Sequence, residues 1–312
     1  MTKLKICLFG RFSIQRDDTY LTQPDSFKVK EFFCYLLLHR NRSHTREALA
    51  NLLWGESTTA QSKKYLRQAL WQLQTALERR DESAAEPFLQ VEPGWIRLNL
   101  QPDIWLDVDV FERAFARVRC RPGDGPDAEK VKILRDAVQL YQGDLLEGCY
   151  HDWCLYERER LQNMYLVMLD KLTGFCEVER DFEMGLNYAA SILRYDRARE
   201  CTHRRLMRLY YLAGDRTSAL RQYERCVTAL HEELGVRPAK LTVELYEQIR
   251  RDNLTGPLTP AAQAQSVYAP EVETSLPDAV QRLKELHLLL TEIQRQVQQE
   301  IKTVELVFNR RQ

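Results

Sequence analysis

Apolar and polar residues alternate over residues 3–15, with Leu4, Ile6, Leu8, Phe12 and Ile14 spaced around Gly10, which predicts one or two short strands. From Val29 the period lengthens to that of a helix over about 28–39, carrying Phe32, Phe33, Tyr35, Leu36 and Leu37 and ending at Arg40-Asn41-Arg42-Ser43. Thr45 is placed to cap a second helix in which Leu49, Leu52, Leu53 and Trp54 face inward and which Gly55 stops. After a polar loop over 56–61, Leu66, Leu70, Leu73 and Leu77 recur at helical spacing and predict a third helix over about 62–80. Two short apolar runs, Phe88–Val91 and Trp95–Leu98, flank Pro93-Gly94, an order that fits the central positions of a type II turn. Three helices closed by a hairpin make a winged helix-turn-helix. In that fold the third helix lies in the major groove of a duplex and the hairpin reaches the neighbouring backbone or minor groove.

The chain from Asp109 to Arg251 reads as nearly continuous helix with short breaks. In Leu206–Leu234, a Tyr-x-x-Ala-Gly-Asp core followed by Ala219-Leu220, Tyr223 and Ala229-Leu230 matches the helix-turn-helix unit of tetratricopeptide repeats. A weaker copy runs from Leu172 through Gly185-Leu186 to Ala189-Ala190, with Arg180-Asp181 at the turn that Gly214-Asp215 occupies later. Such units bury their faces only by stacking, either as a groove for partner segments or as a purely structural or dimer-forming array. Residues 255–277 hold four of the eleven prolines and no Lys or Arg, so they read as a linker. Over residues 276–308, Leu276, Val280, Leu283, Leu290, Ile293, Val297, Ile301, Val304 and Phe308 step mostly by three and four, which predicts a coiled-coil helix or a lone amphipathic helix folded back on the repeats. His287 falls on that seam as a neutral polar layer. The expected division is a winged helix over 1–106, repeats over 107–254, a linker over 255–277 and a terminal helix over 278–312. The seam near Gln101–Asp103 is too short for a flexible tether.

Composition agrees with a mainly α fold: 312 residues with 44% hydrophobic, 29% charged, 12 Gly and 11 Pro exclude collagen-like, disordered and small disulfide-rich classes. No stretch of 18 apolar residues and no apolar leader core occurs, so a cytoplasmic protein without membrane attachment is expected. Eight cysteines without CxxC spacing read as reduced core residues. The balance of 45 basic and 45 acidic residues hides a local asymmetry, because residues 28–80 hold ten basic against four acidic side chains. That excess is the electrostatic footprint of phosphate binding. On the third helix Lys63, Lys64 and Arg67 are placed to anchor phosphates, and Gln68, Trp71 and Gln72 to touch bases or sugars. Arg42 is a further candidate contact. The exposed-aromatic character of Trp71 leaves a protein-docking role open, with the chain acting as an adaptor.

No HExxH, GxSxG, zinc-spaced Cys/His cluster or GxxxxGK[ST] phosphate loop occurs, so neither enzyme activity nor a cofactor is expected. Cys149, His151 and Cys154 lie close together, but their spacing is unlike common zinc sites and Trp153 beside them points to packing. Paired acids such as Asp107/Asp109 and Glu157/Glu159 are expected to be solvated.

The succession of LKICLFGRFSI, HTREALANLLWGE, YLRQALWQLQTAL and VEPGWIRLN, then DVDVFERA, YQGDLLEG, DWCLYERERL and YYLAGDRTSALRQYERCVTALHEELGVRPAKLTVELYEQI, closely resembles the Streptomyces antibiotic regulatory protein family. The resemblance covers about residues 3–252 and is most specific from Ala213 to Ile249. It implies an OmpR-type DNA-binding domain followed by a bacterial transcriptional activation domain of tetratricopeptide-like repeats. It also implies dimeric binding to direct repeats in double-stranded DNA near promoters, contact with RNA polymerase, and DNA contacts on the helix from Ser62 to Leu77 and at the wing around Pro93 and Gly94. Gln72 and Gln74 stand where the family pattern often has Arg, which lowers the local charge.

Overall fold

The alternating stretch folds into a hairpin of β1 (Leu4–Cys7) and β2 (Ser13–Arg16), with Ile6 opposite Ile14. Gly10 makes the reversal possible at a φ of +71°, a backbone region that glycine enters without a Cβ clash. The computed structural model describes residues 4–16, 19–20, 27–77, 88–99, 104–118 and 128–254. β3 (Thr19–Tyr20) pairs with β2, and after it come α1 (Phe27–Leu38), β4 (His44–Thr45), α2 (Arg46–Trp54) and α3 (Thr59–Leu77). β5 (Leu89–Glu92) and β6 (Trp95–Leu98) form the wing, and β7 (Ile104–Leu106) returns to pair in parallel with β1. The two sheets therefore run β3-β2-β1-β7 and β4-β6-β5.

Thr45 caps α2, its hydroxyl accepting the Ala48 N–H at 3.2 Å. Leu66, Leu70 and Leu73 of α3 are buried as their spacing predicts, while the side chain of Leu77 and residues 78–80 lie outside the described residues. Leu52 departs from expectation and is exposed. α2 buries Leu49, Ala50 and Leu53, and a step of 100° per residue puts Leu52 roughly 100° away from the centre of that face. α3 also begins at Thr59, three residues ahead of the expected start.

The second half is α4 (Asp107–Arg117), α5 (Ala128–Leu140), α6 (Asp152–Glu179), α7 (Phe182–Tyr195), α8 (Glu200–Leu212), α9 (Arg216–Leu234) and α10 (Lys240–Arg250). Consecutive helices from α6 to α10 pack on one another as a repeat array. The two turns aligned in the sequence have the same geometry. Arg180 and Gly214 both take positive φ, +59° and +84°, and each is followed by an Asp whose carboxylate caps the next helix: Met184 N–H donates to Asp181 and Ser218 N–H to Asp215. Gly185 lets α7 approach its neighbours, since a Cβ there would stand 3.2 Å from Cys176 Cβ and 3.3 Å from Leu209 Cδ1.

The winged helix and the first repeat helices share one core, running from Leu4 to Ile192, and the chain packs as a single unit up to Asn253. Asp107 is the stitch. Its buried carboxylate accepts the N–H groups of Leu8 at 2.7 Å and Phe9 at 2.9 Å, and also that of Val108. Burial pushes its pKa up to about 6 against the pull of those donors, so Asp107 is not the solvated acid expected from its i, i+2 partner. Around it Phe9 packs on Phe111 and Tyr141, and the 144–147 turn exchanges backbone hydrogen bonds with Leu8 and Gly10. Arg40, 5% exposed, donates to Asp109 at 2.8 Å and Glu112 at 2.6 Å, and Arg160 reaches Glu112 from α6. The seam at 101–103, the linker over 255–277 and the terminal helix over 278–312 with His287 lie outside the described residues.

Candidate DNA interface

α3 presents one apolar and one polar face because its leucines recur every three or four residues. With Leu66, Ala69, Leu70 and Leu73 buried, the opposite side carries Lys63, Lys64, Arg67, Gln68 and Trp71 to solvent, and Trp71 is 66% exposed. Gln72 and Gln74 sit half-buried at the edges.

Ser62 is a correction. It is 2% exposed, and its hydroxyl donates to the carbonyls of Trp54 at 2.8 Å and Thr58 at 3.1 Å, so it fastens α3 to the end of α2 rather than facing a duplex. Lys63 is held at 2.9 Å from Glu47, whose carboxyl it keeps below the usual range. Lys63 therefore links α2 to α3 across an exposed pair. Among the described residues no carboxylate lies within ion-pair distance of Lys64 or Arg67. Arg42 lies in the turn after α1 and donates to the Tyr35 hydroxyl at 3.1 Å, on a different element from α3.

The wing turn is exposed at Pro93 and Gly94, with Gly94 at φ +85° as the turn type requires. Its position is fixed, because Arg46 N–H at the start of α2 donates to Gly94 O at 2.9 Å. Neither turn residue carries a cation. Trp95 and Arg97, on the outward side of β6, are exposed groups that sequence reasoning missed, although the alternation Trp95-Ile96-Arg97-Leu98 carries the signal. Tyr65 adds a further exposed ring on α3.

The basic excess over 28–80 shrinks once its partners are placed. Arg40 is buried against Asp109 and Glu112, Lys28 pairs with Glu31 at 3.0 Å, and Lys63 shares Glu47. Arg79 and Arg80 lie outside the described residues. Lys64 and Arg67 thus carry much of the electrostatic footprint of α3.

The Cys149–Cys154 segment packs rather than gathers ligands. His151 stands 2.7 Å from Glu31, and the Cys149 thiol is directed at the same carboxylate at 3.8 Å. The Trp153 ring meets Tyr35 edge-on at 5.4 Å. Among the described residues no three His, Cys, Asp or Glu side chains are grouped to hold a metal ion. Seven cysteines are free thiols in mostly buried positions, and Cys120 lies outside the described residues.

Comparison with known proteins agrees with this architecture. The sequence profile of the family described as bacterial transcriptional activator domain matches residues 106–250. The transcriptional regulatory protein MoaR1 of Mycobacterium tuberculosis is 24% identical over 238 residues, covering 74% of this chain and 76% of MoaR1. Residues 106–250 therefore carry a bacterial transcriptional activator domain, and the chain is similar over about three quarters of its length to a transcriptional regulatory protein. Regulatory protein AfsR of Streptomyces coelicolor, a larger protein, is 27% identical over 285 residues, which span 89% of this chain and 27% of AfsR. The fold is shared with Mycobacterium tuberculosis EmbR, solved in complex with a low affinity phosphopeptide, at a TM-score of 0.67 and 19% identity over 85% of this chain and 69% of EmbR. Among the described residues, no helix is long and apolar enough to cross a membrane.

Proposed function

We propose that the chain is a DNA-binding transcriptional activator of the cytoplasm that lays α3 in the major groove of a promoter duplex. The observation that carries this reading is the outward face of α3, where Lys64 and Arg67 have no acidic partner among the described residues and stand beside Gln68 and Trp71. Guanidinium and ammonium groups anchor phosphates, and an amide side chain pairs with base edges. Since α3 presents few cations, one winged helix binds weakly, and useful affinity comes from two copies on direct repeats. The helices over 107–254 then contact RNA polymerase, in keeping with the family that the repeats resemble.

Lys64→Ala with Arg67→Ala should weaken duplex binding broadly across sequences and lower the slope of log affinity against log salt by up to about 1.8, since each phosphate contact contributes roughly 0.9. Unchanged affinity in a fluorescence anisotropy titration would remove α3 from the interface. The exposed rings of Trp71, Tyr65 and Trp95 favour one rival, an adaptor whose winged helix docks on protein. Selection from random duplexes that enriches no motif would support the adaptor.

A further inference from the structure

A cleft of about 710 Å³ opens between α7 and α9, floored by α8, at the opposite end of the chain from α3. Four arginines line it: Arg194 on the last turn of α7, Arg197 in the following turn, and Arg221 and Arg225 one turn apart on α9. Glu224 is the one carboxylate among the lining residues. This concentration is out of keeping with the segment around it, since residues 107–254 hold 24 basic and 26 acidic side chains.

Three of the four arginines are not consumed by ion pairs. Arg194 donates to the Ser191 hydroxyl at 2.7 Å and Arg225 to Gln222 Oε1 at 3.3 Å, both neutral acceptors. Among the described residues no carboxylate lies within ion-pair distance of Arg194, Arg221 or Arg225, and only Arg197 has one, Glu232 at 2.8 Å. Beneath the arginines lies a buried polar floor. Gln222 Nε2 donates to His203 Nδ1 at 2.8 Å, and His203 Nε2–H donates to the Arg197 carbonyl at 2.9 Å. His203 and Gln222 are each 3% exposed, and burial lowers the His203 pKa, so the imidazole stays neutral and holds one tautomer. The floor thereby ties the turn bearing Arg197 to the helix bearing Arg225. Leu193, Leu206 and Tyr210 add an apolar wall.

We infer that this cleft binds a phosphate-bearing small molecule, with its phosphate groups held by Arg194, Arg221 and Arg225 and its less polar body against Leu193, Leu206 and Tyr210. Three points favour that occupant. The volume falls in the range of small-ligand sites, roughly 300–1,000 Å³. All four cations are arginines, whose planar forks match phosphate oxygens two at a time, where a lysine offers only a point charge. Finally, the cations converge from α7 and α9 on one cleft, whereas a long acidic peptide calls for charges strung along the array. The inference stands apart from the DNA-binding reading, because it uses none of the residues of α3 or the wing.

The test is calorimetric titration of the full chain with inorganic pyrophosphate and with ADP, in the absence of DNA. Saturable binding of both is expected, weakened at least tenfold by Arg221→Gln with Arg225→Gln. Arg194→Gln, on the facing helix, should weaken it independently. None of these side chains is buried, and unchanged circular dichroism and melting would confirm that the variants fold. Failure of both ligands to give saturable heat overturns the inference. So does binding that the arginine variants leave unchanged, or tighter arginine-dependent binding of an octaglutamate peptide, which would assign the cleft to an acidic segment of a protein. Lys64→Ala with Arg67→Ala should leave ligand binding intact, so failure of the DNA reading and failure of this one are separable.

Discussion

Replacing Arg40 with Met should loosen the joint between the winged helix and the repeats. The guanidinium donates to Asp109 Oδ1 through two nitrogens, to Glu112 Oε2 and to the Leu37 carbonyl, and the side chain is 5% exposed. Methionine keeps the apolar stem and about the same volume, so the change removes charge and hydrogen bonds more than packing. Deleting one member of a fully buried ion pair costs about 3–5 kcal/mol, and an exposed pair is worth about 0–1 kcal/mol. Asp109 and Glu112 are partly solvated and retain Arg113 at 2.7 Å and Arg160 at 2.5 Å. The expected loss is therefore intermediate, about 2–3 kcal/mol. Urea unfolding followed by both tryptophan fluorescence and far-ultraviolet circular dichroism measures it. Because the broken contacts join two halves of one core, the two probes should also separate, with the winged helix detaching first. Adding Asp109→Asn to Arg40→Met should recover part of the loss, since it removes the carboxylate left uncompensated. A destabilisation below about 0.5 kcal/mol with coincident transitions would refute the view that Arg40 clamps the two halves.

Asp107→Asn should flatten the pH dependence of stability between about 4 and 6. The folded-state pKa of Asp107 lies near 6, above its ordinary 3.8, so its contribution is fully present below pH 4 and lost as pH rises through 6, at about 1.4 kcal/mol for each pH unit separating the folded and unfolded values. His39, lowered to about 4 by burial and by Arg42, acts in the opposite sense, so the difference between variant and wild type is the quantity to follow by urea unfolding. Arg180→Gly should raise stability by about 0.5–1 kcal/mol, because Arg180 caps α6 at φ +59°; a lower melting temperature would contradict this. Gly174→Ala should stabilise by about 0.5–1 kcal/mol, since a Cβ there meets only Arg205 at 3.9 Å. Gly185→Leu should cost about 1–3 kcal/mol against Cys176 and Leu209, and equal melting temperatures for the two glycine variants would remove the argument from close helix approach.

Much of this architecture was legible wherever a signal is local. The leucine spacing of α3 placed its buried face, Thr45 marked the start of α2, and Arg180-Asp181 could be aligned with Gly214-Asp215 because a left-handed cap followed by an Asp is a short-range pattern. Strands β4 and β7, two and three residues long, are too short to show a period and exist through their pairing with β6 and β1. Charge misled for a related reason. Counting cations over 28–80 treats Arg40 as available for phosphate, but its partners Asp109 and Glu112 stand about seventy residues away along the chain. Ser62 likewise looked like a polar residue at the head of a recognition helix, and only the fold brings the Trp54 carbonyl to its hydroxyl. The arginine cleft is the same problem reversed. Arg221 and Arg225 are recognisable as one helix face, and Arg194 and Arg197 as neighbours, but their convergence needs α8 between them.

The buried contacts also connect the winged helix physically to the far repeats. Asp107 and Arg40 tie the winged helix to α4, and Arg160 carries the same charge network onto α6. α6 is 28 residues long, about 42 Å at 1.5 Å per residue. Near its start Trp153 packs on Tyr35 of α1, and near its end Glu177, 6% exposed, faces Arg205 and Arg208 of α8, the helix that floors the arginine cleft. One helix therefore touches both the winged-helix half and the helix beneath the cleft. Length alone transmits nothing, because a ligand that binds the DNA-bound and free forms equally well shifts neither. Coupling would require the cleft to change shape when α3 is engaged, and thermodynamic reciprocity then sets its measure. Any factor by which pyrophosphate or ADP changes the affinity for a promoter duplex must equal the factor by which that duplex changes the affinity for the ligand. With Arg40→Met loosening the joint, both factors should move towards one together, while ligand binding in the absence of DNA stays as it was.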